Sequence, residues 1–345
     1  MSQRNKNRII ELTSLINLSD AQIAMINDGI ENVRISTFPR STAEQIPAEQ
    51  WAKTEVLLSA GDYLPTREMA PKLKWIQISF AGVDPILNRA IIHDENIQVT
   101  SASGVMVSQM GEYILMALLM LGHKMPAIIN AQLKNEWISN KSGMVMPKEL
   151  RGSTVGIIGY GSIGRELARL LYHFGAKVLA TKADLSNLED TGYIPEGLGD
   201  PHGDYFYRMY PTDALLGMLP ECDFVVLTAP LTEKTRNMFS TEAFAAMKPS
   251  AYFINVSRGA LVDESALVVA LRNKTIAGAM LDVFNEEPLP VNSPLWKQPN
   301  LIITPHVSGV SPKILDNVLR FFNTNLKRYR DDLPLYNVID PKRGY

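Results

Sequence analysis

Short apolar runs punctuated by turn residues set the rhythm of the chain. In the first hundred residues "EVLLSA" (55–60) and "KWIQIS" (74–79) read as strands, and "SDAQIAMIN" (19–27) has helical spacing, so this part predicts a small α/β unit. Residues 105–122, "VMVSQMGEYILMALLMLG", are apolar nearly all round. Polar groups interrupt them too often for a bilayer span, which predicts a long helix buried between domains, its Met-rich face being core.

From residue 150 onward the pattern changes to strand-helix alternation. "TVGIIG" (154–159), "AKVLAT" (176–181), "DFVVLT" (223–228), "AYFINV" (251–256), "AGAMLDV" (277–283) and "NLIITP" (300–305) are rich in Val, Ile and Leu. Helical patterns such as 163–175 and 263–274 separate most of them, and a last helix is predicted around 312–330. Continuous apolar strands alternating with helices predict a parallel sheet covered on both faces. One stretch breaks the alternation: residues 184–211 form a long irregular connection with aromatics near its end. It reads as a surface lobe or subunit contact, the sharper alternative being a flap over a cofactor.

Size and composition narrow this picture. A chain of 345 residues is too long for one ordinary core and fits two. With 34 basic against 36 acidic residues and a net charge of -2, there is no electrostatic footprint for nucleic acid or an anionic membrane. The opening "MSQRNKNRIIEL" has no apolar run of signal-peptide length behind its basic residues, so a soluble, cytoplasmic protein is expected. Cys222 is the only cysteine. It rules out an internal disulfide, argues against a cysteine-based metal site, and is expected to pack beside a buried strand; no metal centre is predicted.

Gly159, Gly161 and Gly164 form G-x-G-x-x-G between a strand and a helix. In that setting the first glycine permits a tight turn, the second lets backbone approach a pyrophosphate, and the third lets helix and strand pack closely. The helix N-terminus offers its N–H groups to the phosphates, so the motif predicts dinucleotide binding. An acid for the adenosine ribose is expected about 20 residues on. Lys182 stands near that place and Asp184 two residues later. A lysine there attracts a 2′-phosphate and favours NADP; Asp184 reaching back would restore NAD; a solvated lysine would decide nothing. NADP or NAD is expected, with a lean to NADP.

Arg258, Glu287 and His306 each lie at or beyond the C-terminal end of a predicted strand, the edge where ligands bind in open parallel sheets. They suit hydride transfer between a nicotinamide and a 2-hydroxy or 2-oxo acid. Arg258 offers a fork for a carboxylate and can polarise a carbonyl. His306 can exchange a proton near neutral pH. Glu287, bonded to its other ring nitrogen, would fix the tautomer.

The stretches "ELRGSTVGIIGYGSIGRELA", "APLTEKTRNMF", "MKPSAYFINVSRGALVDESAL", "AGAMLDVFNEEPLP" and "LIITPHVSG" resemble, in order and along nearly the whole chain, the D-isomer-specific 2-hydroxyacid dehydrogenase family. The resemblance implies two Rossmann-like, doubly wound parallel-sheet α/β domains. The dinucleotide-binding domain (105–307) is inserted into a substrate domain (1–104 and 308–345), with the acid bound in a cleft that closes on it. It gives Arg258, Glu287 and His306 the catalytic places and Asp282 the position that bonds the nicotinamide carboxamide. Ser162, Ile163, Pro230 and Thr235 become cofactor-binding residues beside the glycines. "SFAGVD" (79–84) becomes the substrate loop, with the backbone N–H groups of Ala81 and Gly82 on the substrate carboxylate. A homodimer through the nucleotide domain is likewise implied.

The family's phosphoglycerate members place a cation near the position of Ala60 and Gly61 and often carry a regulatory domain, and neither is found in this sequence. A small non-phosphorylated acid is therefore expected, in a pocket near Tyr63, Leu64 and Phe80. The same fold serves in some relatives as a dinucleotide-sensing corepressor. The absence of a long disordered tail argues against that alternative. A Rossmann methyltransferase would not predict Arg, Glu and His at three successive strand ends.

Overall fold

The computed structural model describes residues 8–60, 63–140, 142–143 and 145–344. The basic stretch 1–7 and Gly61 lie outside the described residues. The chain divides into two compact units, one of Met1–Val105, Thr191–Tyr193 and Ser311–Tyr345, the other of Met106–Asp190 and Ile194–Val310. Each is built on one wholly parallel sheet.

In the first unit β1 (Ile10–Ser14), β2 (Val33–Thr37), β3 (Val56–Ser59), β4 (Trp75–Ile78) and β5 (Gln98–Thr100) take the order β2-β1-β3-β4-β5. This is a doubly wound order whose direction reverses between β1 and β3. Both central strands, β3 and β4, are buried at every residue, as their uninterrupted apolar sequences require. Leu57, Ile76, Ile78 and Val99 pack on one face. Leu12, Leu58 and Trp75 pack on the other, against Leu319, Phe322 and Leu326. Those three come from the last helix, Ile314–Arg330, so the chain's two ends share one core. A capping box starts the helix Asp20–Ile26, Ser19 accepting from the Gln22 N–H while the Gln22 side chain bonds back to the Ser19 N–H.

The second unit holds β6 (Thr154–Ile158), β7 (Lys177–Lys182), β8 (Arg208–Pro211), β9 (Phe224–Leu227), β10 (Tyr252–Asn255), β11 (Gly278–Leu281) and β12 (Leu301–Ile303). Their order is β12-β11-β10-β9-β6-β7-β8, with the reversal between β6 and β9. Alternation divides the core between the faces. Val225, Leu227, Phe253 and Leu281 go to one side, and Phe224, Val226, Tyr252, Ile254 and Met280 to the other. The long apolar helix, Val107–Gly122, lies within this unit and packs on the helix Ser162–Phe174 and on β10 and β11. No single helix among the described residues is long and apolar enough to cross a membrane. Cys222 is buried with its sulfur against Gly156, and burial pushes its thiol up to about 12, which makes it a packing residue.

The irregular connection after β7 is tied down by buried polar groups and ends in β8. Asp200 is fully buried, and its carboxylate accepts from the Tyr160 hydroxyl and from the N–H groups of Gly203, Asp204 and Tyr205. Glu166 accepts from the Gly199 N–H at 2.7 Å. The buried Arg165 donates to the carbonyls of Asp200 and Leu188 and lies 3.5 Å from the Asp190 carboxylate. A buried carboxylate or guanidinium is tolerable only with its partners in place. Residues 160, 165 and 166, beside the glycine motif, therefore anchor the connection.

Candidate active site

All strands of the second unit are parallel, so the loops after them emerge at one edge, and the predicted residues of that unit all lie there. Gly159 follows β6 with φ +101°, a conformation open to glycine, and a Cβ there would sit 2.6 Å from the Ala229 Cα. A Cβ at Gly164 would meet the Gly159 carbonyl oxygen at 2.5 Å, whereas one at Gly161 would point into open space. Gly161 is the N-cap of the helix Ser162–Phe174. Ser162, Ile163 and Gly164 thus supply its first N–H groups, which lack partners within a helix. An unobstructed approach to a helix N-terminus at the sheet's reversal point fits a dinucleotide pyrophosphate.

Lys182 ends β7 and is half-buried. Burial and the nearby Arg165 guanidinium hold its ammonium below the ordinary lysine range, against the opposing pull of Asp190 and Asp184. Asp184 accepts from the N–H and hydroxyl of Ser186 at 2.9 and 2.6 Å. After β9, the Thr235 hydroxyl donates to the Pro230 carbonyl at 2.8 Å and accepts from the Thr232 N–H, closing a compact turn. That turn is joined to the next loop by the Ser257 hydroxyl, which bonds the Ala229 carbonyl.

Arg258 follows β10, where Asn255 shapes the loop by donating to the Arg258 carbonyl at 2.9 Å and accepting from the Ser257 N–H. The guanidinium donates to the Ser257 carbonyl at 2.8 Å. The next residue, Gly259, has no room for a side chain, since a Cβ would collide with the Phe284 carbonyl and the Asn285 nitrogen. This backbone contact presses the Arg258 loop onto the loop after β11 that carries Glu287. One Glu287 oxygen accepts from the Phe284 N–H at 2.9 Å, and the other is 2.7 Å from His306 Nδ1. The histidine side chain stays about half exposed, at 49%. With Nδ1 engaged by a carboxylate, Nε2 is the nitrogen available to a substrate oxygen.

His306 has φ +53°, in the left-handed region that non-glycine residues rarely adopt. Its N–H donates to the Asp282 carbonyl at 2.9 Å. The Asp282 carboxylate is fully buried and accepts from the Thr304 hydroxyl at 2.6 Å, the Val307 N–H at 2.9 Å and the Ser308 N–H at 2.8 Å. The Thr304 hydroxyl also bonds that of Tyr113, on the helix Val107–Gly122. Neither Thr304, within "LIITPHVSG", nor Tyr113 is marked out by its residue type, and only the fold brings them to Asp282. In the first unit, Ala81 and Gly82 lie in the turn after β4, where the Phe80 carbonyl accepts from the Ala102 N–H.

Residues 115–308 match the model of the D-isomer specific 2-hydroxyacid dehydrogenase, NAD binding domain. The chain is 30% identical over 296 residues to glyoxylate/hydroxypyruvate reductase B of Escherichia fergusonii, covering 85% of this chain and 86% of that protein. It is 33% identical over 235 residues to (S)-sulfolactate dehydrogenase of Chromohalobacter salexigens, covering 68% and 71%. A solved structure of a D-isomer specific 2-hydroxyacid dehydrogenase from Xanthobacter autotrophicus Py2, in complex with NADPH and MES, superposes with a TM-score of 0.80 at 28% identity, covering 98% of this chain and 100% of that one. With strand order, glycine cradle and sequence match in agreement, the chain is an NAD(P)-dependent oxidoreductase and belongs to the D-isomer specific 2-hydroxyacid dehydrogenase family.

Proposed function

We propose that the protein reduces a small non-phosphorylated 2-oxo acid to the D-2-hydroxy acid, with NADPH as the preferred reductant. The observation that carries this reading is the 2.7 Å pairing of His306 Nδ1 with Glu287, which fits Nε2 for giving a proton to a carbonyl oxygen. The bound nicotinamide supplies the hydride. Arg258 binds the substrate carboxylate and polarises the carbonyl. Glu287 holds the imidazole in the donating tautomer and balances its charge. The residues that would hold the cofactor are Ser162, Ile163 and Gly164, whose N–H groups at the helix start suit a pyrophosphate, with the Pro230–Thr235 turn and Asp282 on the nicotinamide side.

Lys182 supports NADPH because a half-buried lysine ends the strand where the glycine motif calls for a ribose-binding residue. Asp184, the residue that would favour NADH, already spends a carboxylate oxygen on Ser186. The relative from Xanthobacter autotrophicus was solved with NADPH. A panel of 2-oxo acids with each reduced cofactor tests the reading: absorbance at the reduced-nicotinamide band falls with at least one small acid. No consumption with any acid would end the proposal. Lys182→Asp is expected to move the NADPH-to-NADH ratio of kcat/KM about tenfold to a hundredfold toward NADH, as loss of a phosphate contact and gain of a repulsive charge imply. An unchanged ratio would remove Lys182 from cofactor choice.

The same reading includes a homodimer through the second unit. Leu133 and Trp137 are 77% and 87% exposed, and Ile129 and Met146 are exposed too, apolar side chains that contact with a second copy would cover. Trp137→Asp is expected to weaken association about a hundredfold, read by sedimentation equilibrium. A parent protein that sediments as a monomer at micromolar concentration would refute the dimer.

A further inference from the structure

The left-handed backbone at His306 needs a support, and four side chains outside the Glu287 pair supply one. Asp282 presents a buried carboxylate to the two N–H groups that follow His306, at 2.9 and 2.8 Å, while its carbonyl accepts the His306 N–H. Thr304 donates its hydroxyl proton to the same carboxylate at 2.6 Å. A carboxylate can only accept, so the remaining bond to Thr304 is donated by Tyr113. Burial, opposed by the Thr304 bond and reinforced by Asp282, pushes the Tyr113 hydroxyl up to about 12, so it remains a protonated donor at working pH. Four residues before Tyr113, and so on the same face of its helix, Gln109 donates to the carbonyls of Ser308 and Val310. Thus the segment 304–310 is secured from one side by two side chains of the helix Val107–Gly122 and from beneath by Asp282.

We propose that Thr304, linking Tyr113 to Asp282, is a positioning residue that holds the His306 backbone in its left-handed conformation and so keeps the imidazole aligned on Glu287. The inference rests on the catalytic reading of His306. It also gives Asp282 a task in the histidine loop beside the nicotinamide contact that family resemblance suggests. A wholly buried carboxylate with three donors of its own chain is already committed to the histidine loop.

The test compares Thr304→Val, Thr304→Ser and Tyr113→Phe in the NADPH-bound enzyme. Thr304→Val is expected to lower kcat about tenfold to a hundredfold, the usual consequence of a catalytic group displaced by a fraction of an ångström to one ångström. The dissociation constant for NADPH, from nicotinamide fluorescence, should stay within about twofold, and Thr304→Ser should restore kcat to within about threefold. Hydrogen exchange at the Val307 and Ser308 amides should speed up in the valine variant and not in the serine one. Tyr113→Phe, which removes a single hydroxyl, should lower kcat about threefold and keeps the test alive should the valine variant fold poorly. Parent-like kcat with unaltered exchange overturns the proposal, as does a loss confined to NADPH affinity, which would make the network a cofactor site. Should the parent reduce no 2-oxo acid, the catalytic reading falls, and the exchange data still decide whether Thr304 holds the loop.

Discussion

Replacement of His306 by alanine is expected to lower kcat by about 10² to 10⁴, with the KM for the 2-oxo acid changing much less. The size follows from what a positioned proton donor contributes to a carbonyl reduction. As negative charge develops on the substrate oxygen, Nε2 of the imidazolium delivers its proton and leaves the ring neutral, while Glu287, 2.7 Å from Nδ1, keeps the other ring proton in place. Without the imidazole the proton must come from water, and the carboxylate keeps the Phe284 N–H but loses the ring. Steady-state kinetics at saturating NADPH measure the change. Turnover equal to the parent's would show that the proton comes from another group.

Gly259→Ala should be nearly as damaging although residue 259 touches no reactant. A methyl group there collides with the Phe284 carbonyl, a backbone atom that cannot rotate away. The two loops must separate, and they carry Arg258 on one side and Glu287 on the other. Overpacking of this kind costs about 3 kcal/mol of stability, and misplacing catalytic groups costs on the order of a hundredfold in rate. Urea titration and kcat/KM measure the two losses. A variant with parental stability and rate would mean that the loops can part without consequence.

What the sequence reveals follows from how local each signal is. The strands β6, β9, β10 and β11 fall within the apolar runs, and β7 overruns its run by one residue, because a strand buried on both faces must be apolar throughout; β12, a partly buried edge strand, is apolar all the same. The short β8 has no such signal: Arg208–Pro211 is an edge strand paired with β7, its four residues Arg-Met-Tyr-Pro are exposed or half-buried, and they form no apolar run. The three glycines are legible because backbone geometry dictates residue type at each. The pairing of Glu287 with His306 bridges 19 residues and is suggested by chemistry and by family resemblance together. Nothing local announces that Asp200 bonds Tyr160, 40 residues away, or that Tyr113 bonds Thr304, 191 residues away. Asp282 shows the limit most clearly: the sequence marks an acid at a strand end, and only the fold reveals that its carboxylate faces inward onto its own chain.

The positive φ at residue 306 narrows the replacements that can isolate the imidazole. Alanine removes the ring but also disfavours the left-handed region, by roughly 1 kcal/mol or more, so its loss mixes chemistry with loop geometry. Asparagine enters that region more readily than other non-glycine residues and provides the cleaner subtraction. Valine and isoleucine are excluded by backbone alone, so tolerance at this position is filtered by conformation before catalysis selects among what remains.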